Sequence, residues 1–328
     1  MSLGTRLTKS FGIEHPVVLA PMAMISGGRL AAAVTAAGGL GLIGGGYGDA
    51  EWLRREFDRA EGANVGCGFI TWSLARQPEL LDAALARRPA AIMLSFGELQ
   101  PFADRIRAAR VPVIAQAQKL DHARQALDAG ADVVVAQGGE AGGHGMTARS
   151  TFTLVPDVVD LVAERSPDTL VLAAGGISDG RGLAAALALG ADGALVGTRF
   201  WASPEALVSP RAHERALAAG GDDTFRTRAY DLVRRLDWPA EYNARALGNA
   251  FLDRWHGNED QLAAALPEAA ADYEKAIAAE DFDTAAVLVG EGVGLVRQVR
   301  PAADIMVDMV EQAARILNRA AGPGSVQR

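Results

Sequence analysis

Residues 137–145 read Gln-Gly-Gly-Glu-Ala-Gly-Gly-His-Gly, five glycines in nine positions around one carboxylate and one imidazole. A segment so poor in Cβ atoms can lie flat against a planar ring. His144 titrates near neutral pH, so it can take or give a proton there. A flexible loop with an incidental histidine is the plainer alternative. That alternative suits His15, His122, His213 and His256, which fall on predicted loops or helix surfaces. His144 is placed differently, opposite two further glycine features. These are Ala174–Gly175–Gly176–Ile177 and Val196–Gly197–Thr198–Arg199, each closing a short apolar run. Small residues there expose backbone N–H groups, and a following helix N-terminus adds partial positive charge. Tight turns alone would explain either pair, but the two together point to a phosphate cradle.

Other residues add to the same picture. Pro21–Met22–Ala23–Met24 can offer backbone groups and a soft apolar wall to a ring, or can simply pack a core. Gln116 and Gln118 are candidate donors to ligand carbonyls, since an unpartnered buried amide is costly. Cys67 has no base beside it in sequence, so packing is expected rather than nucleophilic chemistry. No histidine pair or cysteine cluster has metal-ligand spacing, and no metal is expected.

The elements that must hold these residues are short, wholly apolar runs. Strands are predicted near 17–20, 40–43, 64–69, 91–94, 113–115, 133–136, 170–173 and 194–196. Uniformly apolar strands are those buried on both faces, as in parallel sheets. Successive starts lie about 20 to 40 residues apart, room for a strand, a helix and two loops. Two junctions nearly repeat, Ala129–Gly130–Ala131–Asp132 and Leu189–Gly190–Ala191–Asp192, each a helix stop followed by a turn. The pattern predicts an α/β fold, a TIM (β/α)8 barrel over 1–204, with its chemistry at the carboxyl ends of the strands. An open doubly wound sheet would normally carry a glycine fingerprint after its first strand, where this chain has Ala20–Pro21–Met22–Ala23. Residues 205–285 contain no convincing strand but hold Trp238, Tyr242, Phe251, Trp255 and Tyr273, and read as a small, mainly helical subdomain at the barrel mouth. Its aromatic content suits a lid or an interface in a homo-oligomer. Residues 286–328 are expected to return an amphipathic helix (301–317) to the barrel wall and to end in a disordered tail after Gly322.

Composition limits the classes of partner. The 328 residues are 49% hydrophobic and 22% charged, with a formal net charge of −8 and three lysines, which argues against nucleic acid or an anionic membrane surface. A single cysteine fits a reducing compartment. No apolar run of about 18 residues can span a bilayer, and the first residues lack a signal-peptide core. A cytoplasmic globular protein acting on a small molecule is expected.

On these residues the sequence resembles the nitronate monooxygenase (2-nitropropane dioxygenase) family. The likeness rests on Ala20–Pro21–Met22, residues 136–144, Ala174–Gly175–Gly176–Ile177, Val196–Gly197–Thr198, and the late stretches 290–295 and 300–302. It implies noncovalent FMN, with the flavin doing the redox work and O2 as oxidant. It also implies that Met22 meets the flavin through its backbone, that Gln137, Gly142 and Gly143 line the ring, and that Gly175, Gly176, Gly197 and Thr198 hold the phosphate. His144 matches the catalytic base, which takes the α-proton of a neutral nitroalkane or orients an anionic nitronate. Gly68 stands where the family often has a flavin-contacting asparagine, and Gly145 where many members have a basic residue. Gln116 joins the cofactor set from its place after the fifth strand.

The same glycine features occur in FMN-dependent enoyl-acyl-carrier-protein reductases and NADH:quinone reductases, which would draw hydride from NAD(P)H. A flavin-binding barrel without turnover is a third reading, against which an intact His144 weighs.

Overall fold

The structure, a computed structural model, describes residues 3–320. Its centre is a barrel of eight parallel strands. Numbering all strands in chain order, these are β1 (Val17–Leu19), β2 (Leu42–Gly44), β3 (Gly66–Ile70), β4 (Ile92–Ser95), β5 (Val113–Ala117), β6 (Val133–Gln137), β8 (Leu170–Ala174) and β9 (Gly193–Val196). Neighbours run β1-β9-β8-β6-β5-β4-β3-β2. The seam between β1 and β2 is closed by one parallel bridge, Val18 to Leu40. Each strand falls within one or two residues of its sequence position, because each apolar run is buried on both faces. In β6 the alternation is direct: Val133 and Val135 face the barrel interior with Met93, Ile114 and Leu172, while Val134 faces the helices. Burying each such side chain contributes about 1.5–3 kcal/mol.

The helix Arg6–Phe11 seals the amino-terminal end, with Leu7 fully buried and Arg6 paired to Asp192 at 2.8 Å. The helix Ala302–Ala320 lies on Gly180–Ala188. A Cβ at Gly180 would stand 2.4 Å from the Met309 carbonyl oxygen, so glycine is what lets the two helices approach. This is the expected amphipathic helix, with Ile305, Met309, Val310 and Ala313 buried. The expected tail after Gly322 lies outside the described residues. Among the described residues, no helix is long and apolar enough to cross a membrane.

The region after the barrel strands departs from expectation in one respect. Besides helices at Pro210–Leu217, Ala229–Val233, Ala250–Trp255, Glu259–Ala264 and Leu266–Ala278, it contains β10 (Thr224–Thr227) and β11 (Asn243–Leu247). These form an antiparallel sheet with β7, Gly143–Gly145, which is the histidine-bearing glycine segment itself. Arg226 and Arg245 interrupt both strands, so neither reads as an apolar run. Helices behind them share a core of Tyr230, Phe251, Trp255, Leu262 and Tyr273. Asn249 joins the two parts, capping the helix Ala250–Trp255 and accepting the Tyr230 hydroxyl at 2.9 Å.

Candidate active site

The carboxyl ends of the barrel strands open into one cavity. It is lined by Met22, Gly68, Gln116, Gln137, Gly142, Gly143, His144, Gly175, Gly176, Gly197 and Thr198, the residues that the family resemblance and the fifth strand assign to catalysis and cofactor. Gln118 does not line it, and accepts the Met146 amide at 3.1 Å instead. Cys67 is buried in the wall between strands and helices, where burial pushes its thiol far up. It is a packing residue. His15 and His213 are buried rather than superficial, the latter bonded to the Trp201 carbonyl at 3.0 Å.

The glycines divide into two kinds. Gly68, Gly142 and Gly175 are required by the chain. A Cβ at Gly68 would lie 2.3 Å from the Pro21 ring, one at Gly142 would lie 2.4 Å from the Gly290 amide, and one at Gly175 would lie 2.8 Å from Thr151 Oγ1. An asparagine at 68 therefore has no room while Pro21 stands where it does. Gly197 is open instead, since a Cβ there meets nothing nearer than Ala20 at 3.5 Å; at Gly176 a Cβ also has room, with nothing nearer than Glu140 at 3.7 Å, but its left-handed φ of 71° itself favours glycine. Both glycines line the cavity. Thr198 Oγ1 accepts the Gly290 amide at 2.9 Å, which leaves its O–H to donate. The helix after β9 is only Thr198–Trp201, four residues, so the expected macrodipole contribution there is small.

Met22 lines the cavity, and its backbone is bonded within the chain: its N–H donates to the Ala20 carbonyl and its carbonyl accepts from Ile25 and Ser26. Gln116 Nε2 donates to Gln137 Oε1, and Gln137 Nε2 donates to the His144 carbonyl at 3.0 Å. Among the described residues Gln116 Oε1 is buried without a partner, an acceptor suited to a ring N–H.

The segment carrying His144 is clamped, not loose. Glu140 accepts the Thr151 amide at 3.0 Å, capping the next helix. Arg226 donates to the carbonyls of Gly139, Ala141 and Asn243, and Arg245 donates to Gly139 and pairs with Glu291 at 2.9 Å. Burial, and then the neighbouring Arg245, bring the Arg226 guanidinium down to about 10, so it stays charged. Its Nη2 lies 2.9 Å from where a Cβ on Gly145 would be. A basic group thus adjoins the histidine by another route than the residue that follows it.

His144 itself is almost wholly buried. Its ring stacks on Trp238, centroids 3.5 Å apart and planes 6° from parallel. Nε2 lies 2.8 Å from Asp231 Oδ1. A carboxylate there fixes the proton on Nε2 and leaves Nδ1 with its lone pair, the arrangement of an oriented base. Burial lowers the pKa of His144, Asp231 opposes that, and Arg234 and Arg226 reinforce it. The net effect keeps the imidazole neutral at pH 7. Phe96 and Tyr242 complete an aromatic wall, with Phe96 edge-on to Trp238 at 5.0 Å. Asp231, 87 residues from His144, carried no sequence signal: Ala229–Val233 reads as any short amphipathic helix.

Comparison with known proteins shows the family. The family model described as nitronate monooxygenase matches residues 4–83 and 75–312. The chain belongs to the nitronate monooxygenase family. Among relatives of that family, the nitronate monooxygenase npaC of Metarhizium robertsii is 36% identical over 332 aligned residues, spanning 92% of this chain and 91% of its own. The solved structure of FabK from Thermotoga maritima is similar at a TM-score of 0.85 and 30% identity, covering 98% of this chain and 99% of that one. The nitroalkane oxidase from Streptomyces ansochromogenes is similar at a TM-score of 0.78 and 28% identity, covering 96% and 100%. These are oxidoreductases, and the fold of this family member is theirs.

Proposed function

We propose that this chain is an FMN-dependent nitronate monooxygenase that carries out oxidative denitrification of alkyl nitronates and nitroalkanes with O2. The observation that carries the reading is the buried His144–Asp231 pair at 2.8 Å beside a glycine-lined cavity, with Nδ1 unbonded among the described residues. The residues fit the cofactor. Gly176 and Gly197 leave open the space a phosphate needs, the Thr198 hydroxyl and nearby backbone amides are donors for it, and Gln116 Oε1 is an unfilled acceptor at the ring end. When bound, FMN supplies the electron transfer that no side chain here can perform.

The rest falls to the chain. His144 Nδ1 takes the α-proton of a neutral nitroalkane, and Asp231 stabilises the imidazolium that forms. Trp238 holds the ring flat, so its lone pair keeps one direction. Phe96 and Trp238 exclude water from the reacting end, which strengthens each polar contact inside it. His144→Asn tests the assignment. FMN content should be unchanged, while kcat/KM for a neutral nitroalkane falls by about 100-fold or more, the range expected of a lost general base. Unchanged rates would make His144 scaffold.

A second reading, an NAD(P)H-dependent FMN reductase, is favoured by the likeness to FabK, and keeps the cavity and the cofactor while changing the electron donor.

A further inference from the structure

Arg234 is the only lysine or arginine among the described residues that line the cavity. It is partly buried and, among the described residues, has no carboxylate within salt-bridge distance. Asp231, one helical turn earlier, spends its bonded oxygen on His144 instead. Other partly buried arginines near the site are accounted for within the chain: Arg226 by three carbonyls, Arg245 by Glu291. The Arg234 guanidinium lies over the Tyr47 ring, 5.8 Å from its centroid. Tyr47 also lines the cavity, and its hydroxyl accepts Trp238 Nε1–H at 3.3 Å. Trp238 is in turn the residue stacked on His144. Burial raises the Tyr47 pKa, so its hydroxyl remains a neutral donor. A hydroxyl donor and the base are therefore linked through one indole, with the planar fork over the tyrosine ring.

We propose that Arg234, with Tyr47, is an oxyanion subsite that grips the nitro oxygens of the substrate and selects the planar monoanionic nitronate over the neutral nitroalkane. A guanidinium fork matches two coplanar oxygens bidentately, and it gains most when both bear the anion's charge. A cation without a carboxylate counter-ion in a partly buried site is poised to gain on binding an anion, since part of its desolvation is already spent. The inference rests on the nitronate reading above for the identity of the anion, while the subsite itself rests only on the residues named.

The test compares wild type, Arg234→Gln and Arg234→Lys. Steady-state kinetics are measured with ethyl nitronate and with nitroethane at one pH. Binding of nitrate, an unreactive planar monoanion, is followed by tryptophan fluorescence. For Arg234→Gln, KM for the nitronate and Kd for nitrate should rise about 10- to 100-fold, as for loss of a charge-assisted bond. KM for nitroethane should change less than about threefold, and FMN content should stay at the wild-type level. Arg234→Lys keeps the charge without the fork, and should recover at least half of the logarithmic loss. It also serves if the glutamine variant does not fold. Equal losses on both substrates, loss of FMN, or an unchanged nitrate Kd would each overturn the subsite. Were the wild type inert to nitronates yet dependent on Arg234 for nitrate, the subsite would stand and the nitronate reading would fall. Turnover of nitronates with a KM indifferent to Arg234 would do the opposite.

Discussion

Replacing Asp231 with asparagine removes a charge and almost no volume from beneath the proposed base. In the wild type its carboxylate accepts Nε2–H of His144 at 2.8 Å, with the two side chains 4% and 6% exposed. An amide can present itself in two ways. With its oxygen toward the ring, the bond loses charge assistance. Turned about, its NH2 faces Nε2 and drives the proton to Nδ1, which removes the lone pair the reaction uses. A hydrogen bond to an ionised partner is worth about 1.5–3 kcal/mol, equivalent to about 10- to 150-fold in rate. The expected loss in kcat/KM for nitroethane is therefore about 10- to 150-fold. The pH profile gives the sign. Burial lowers the His144 pKa, and Asp231 is the group that opposes it. Without that opposition the pKa falls further, so the acid limb moves to lower pH while the plateau drops. The assay is kcat/KM between about pH 5 and 9, with FMN content and Tm as controls. An acid limb in its wild-type position, with a plateau within about threefold of wild type, would refute the claim that Asp231 orients the base.

Two further substitutions separate ligand space from packing space. Gly197→Val enters a site where a Cβ meets only ordinary contacts, Ala20 at 3.5 Å and Met22 Sδ at 3.6 Å. Tm of the flavin-free protein should hold while FMN affinity falls about tenfold or more; normal affinity would put the phosphate elsewhere. Gly142→Ala drives a methyl to within 2.4 Å of the Gly290 amide. It should destabilise the fold by about 1–3 kcal/mol, read by chemical denaturation, and an unchanged midpoint would mean that the 290–292 segment yields freely.

What was legible in the sequence follows the physics of burial. The eight barrel strands announced themselves because strands covered on both faces have no room for polar residues. The cavity set was legible for a related reason: function at a barrel concentrates on the strand ends, where Gly176, Gly197 and His144 stand out by residue type. β10 and β11 were not legible, since Arg226 and Arg245 serve there as clamps on carbonyls and break the apolar run. Nor was the pairing of Gly143–Gly145 with β11, because a three-residue glycine-rich strand has no pattern of its own. Asp231, Arg234 and Tyr47 act through proximity created by folding, at sequence distances no local motif spans. Gly142 and Gly68 were visible as glycines, but only the structure assigns them to packing against Gly290 and Pro21.

Anaerobic stopped-flow absorbance of the purified protein, mixed separately with an alkyl nitronate and with NADH, tests the central claim most directly. The expected result is a flavin spectrum that bleaches rapidly with the nitronate and little with NADH. Rapid bleaching by NADH alone would contradict it and assign the His144–Asp231 site to the reductases.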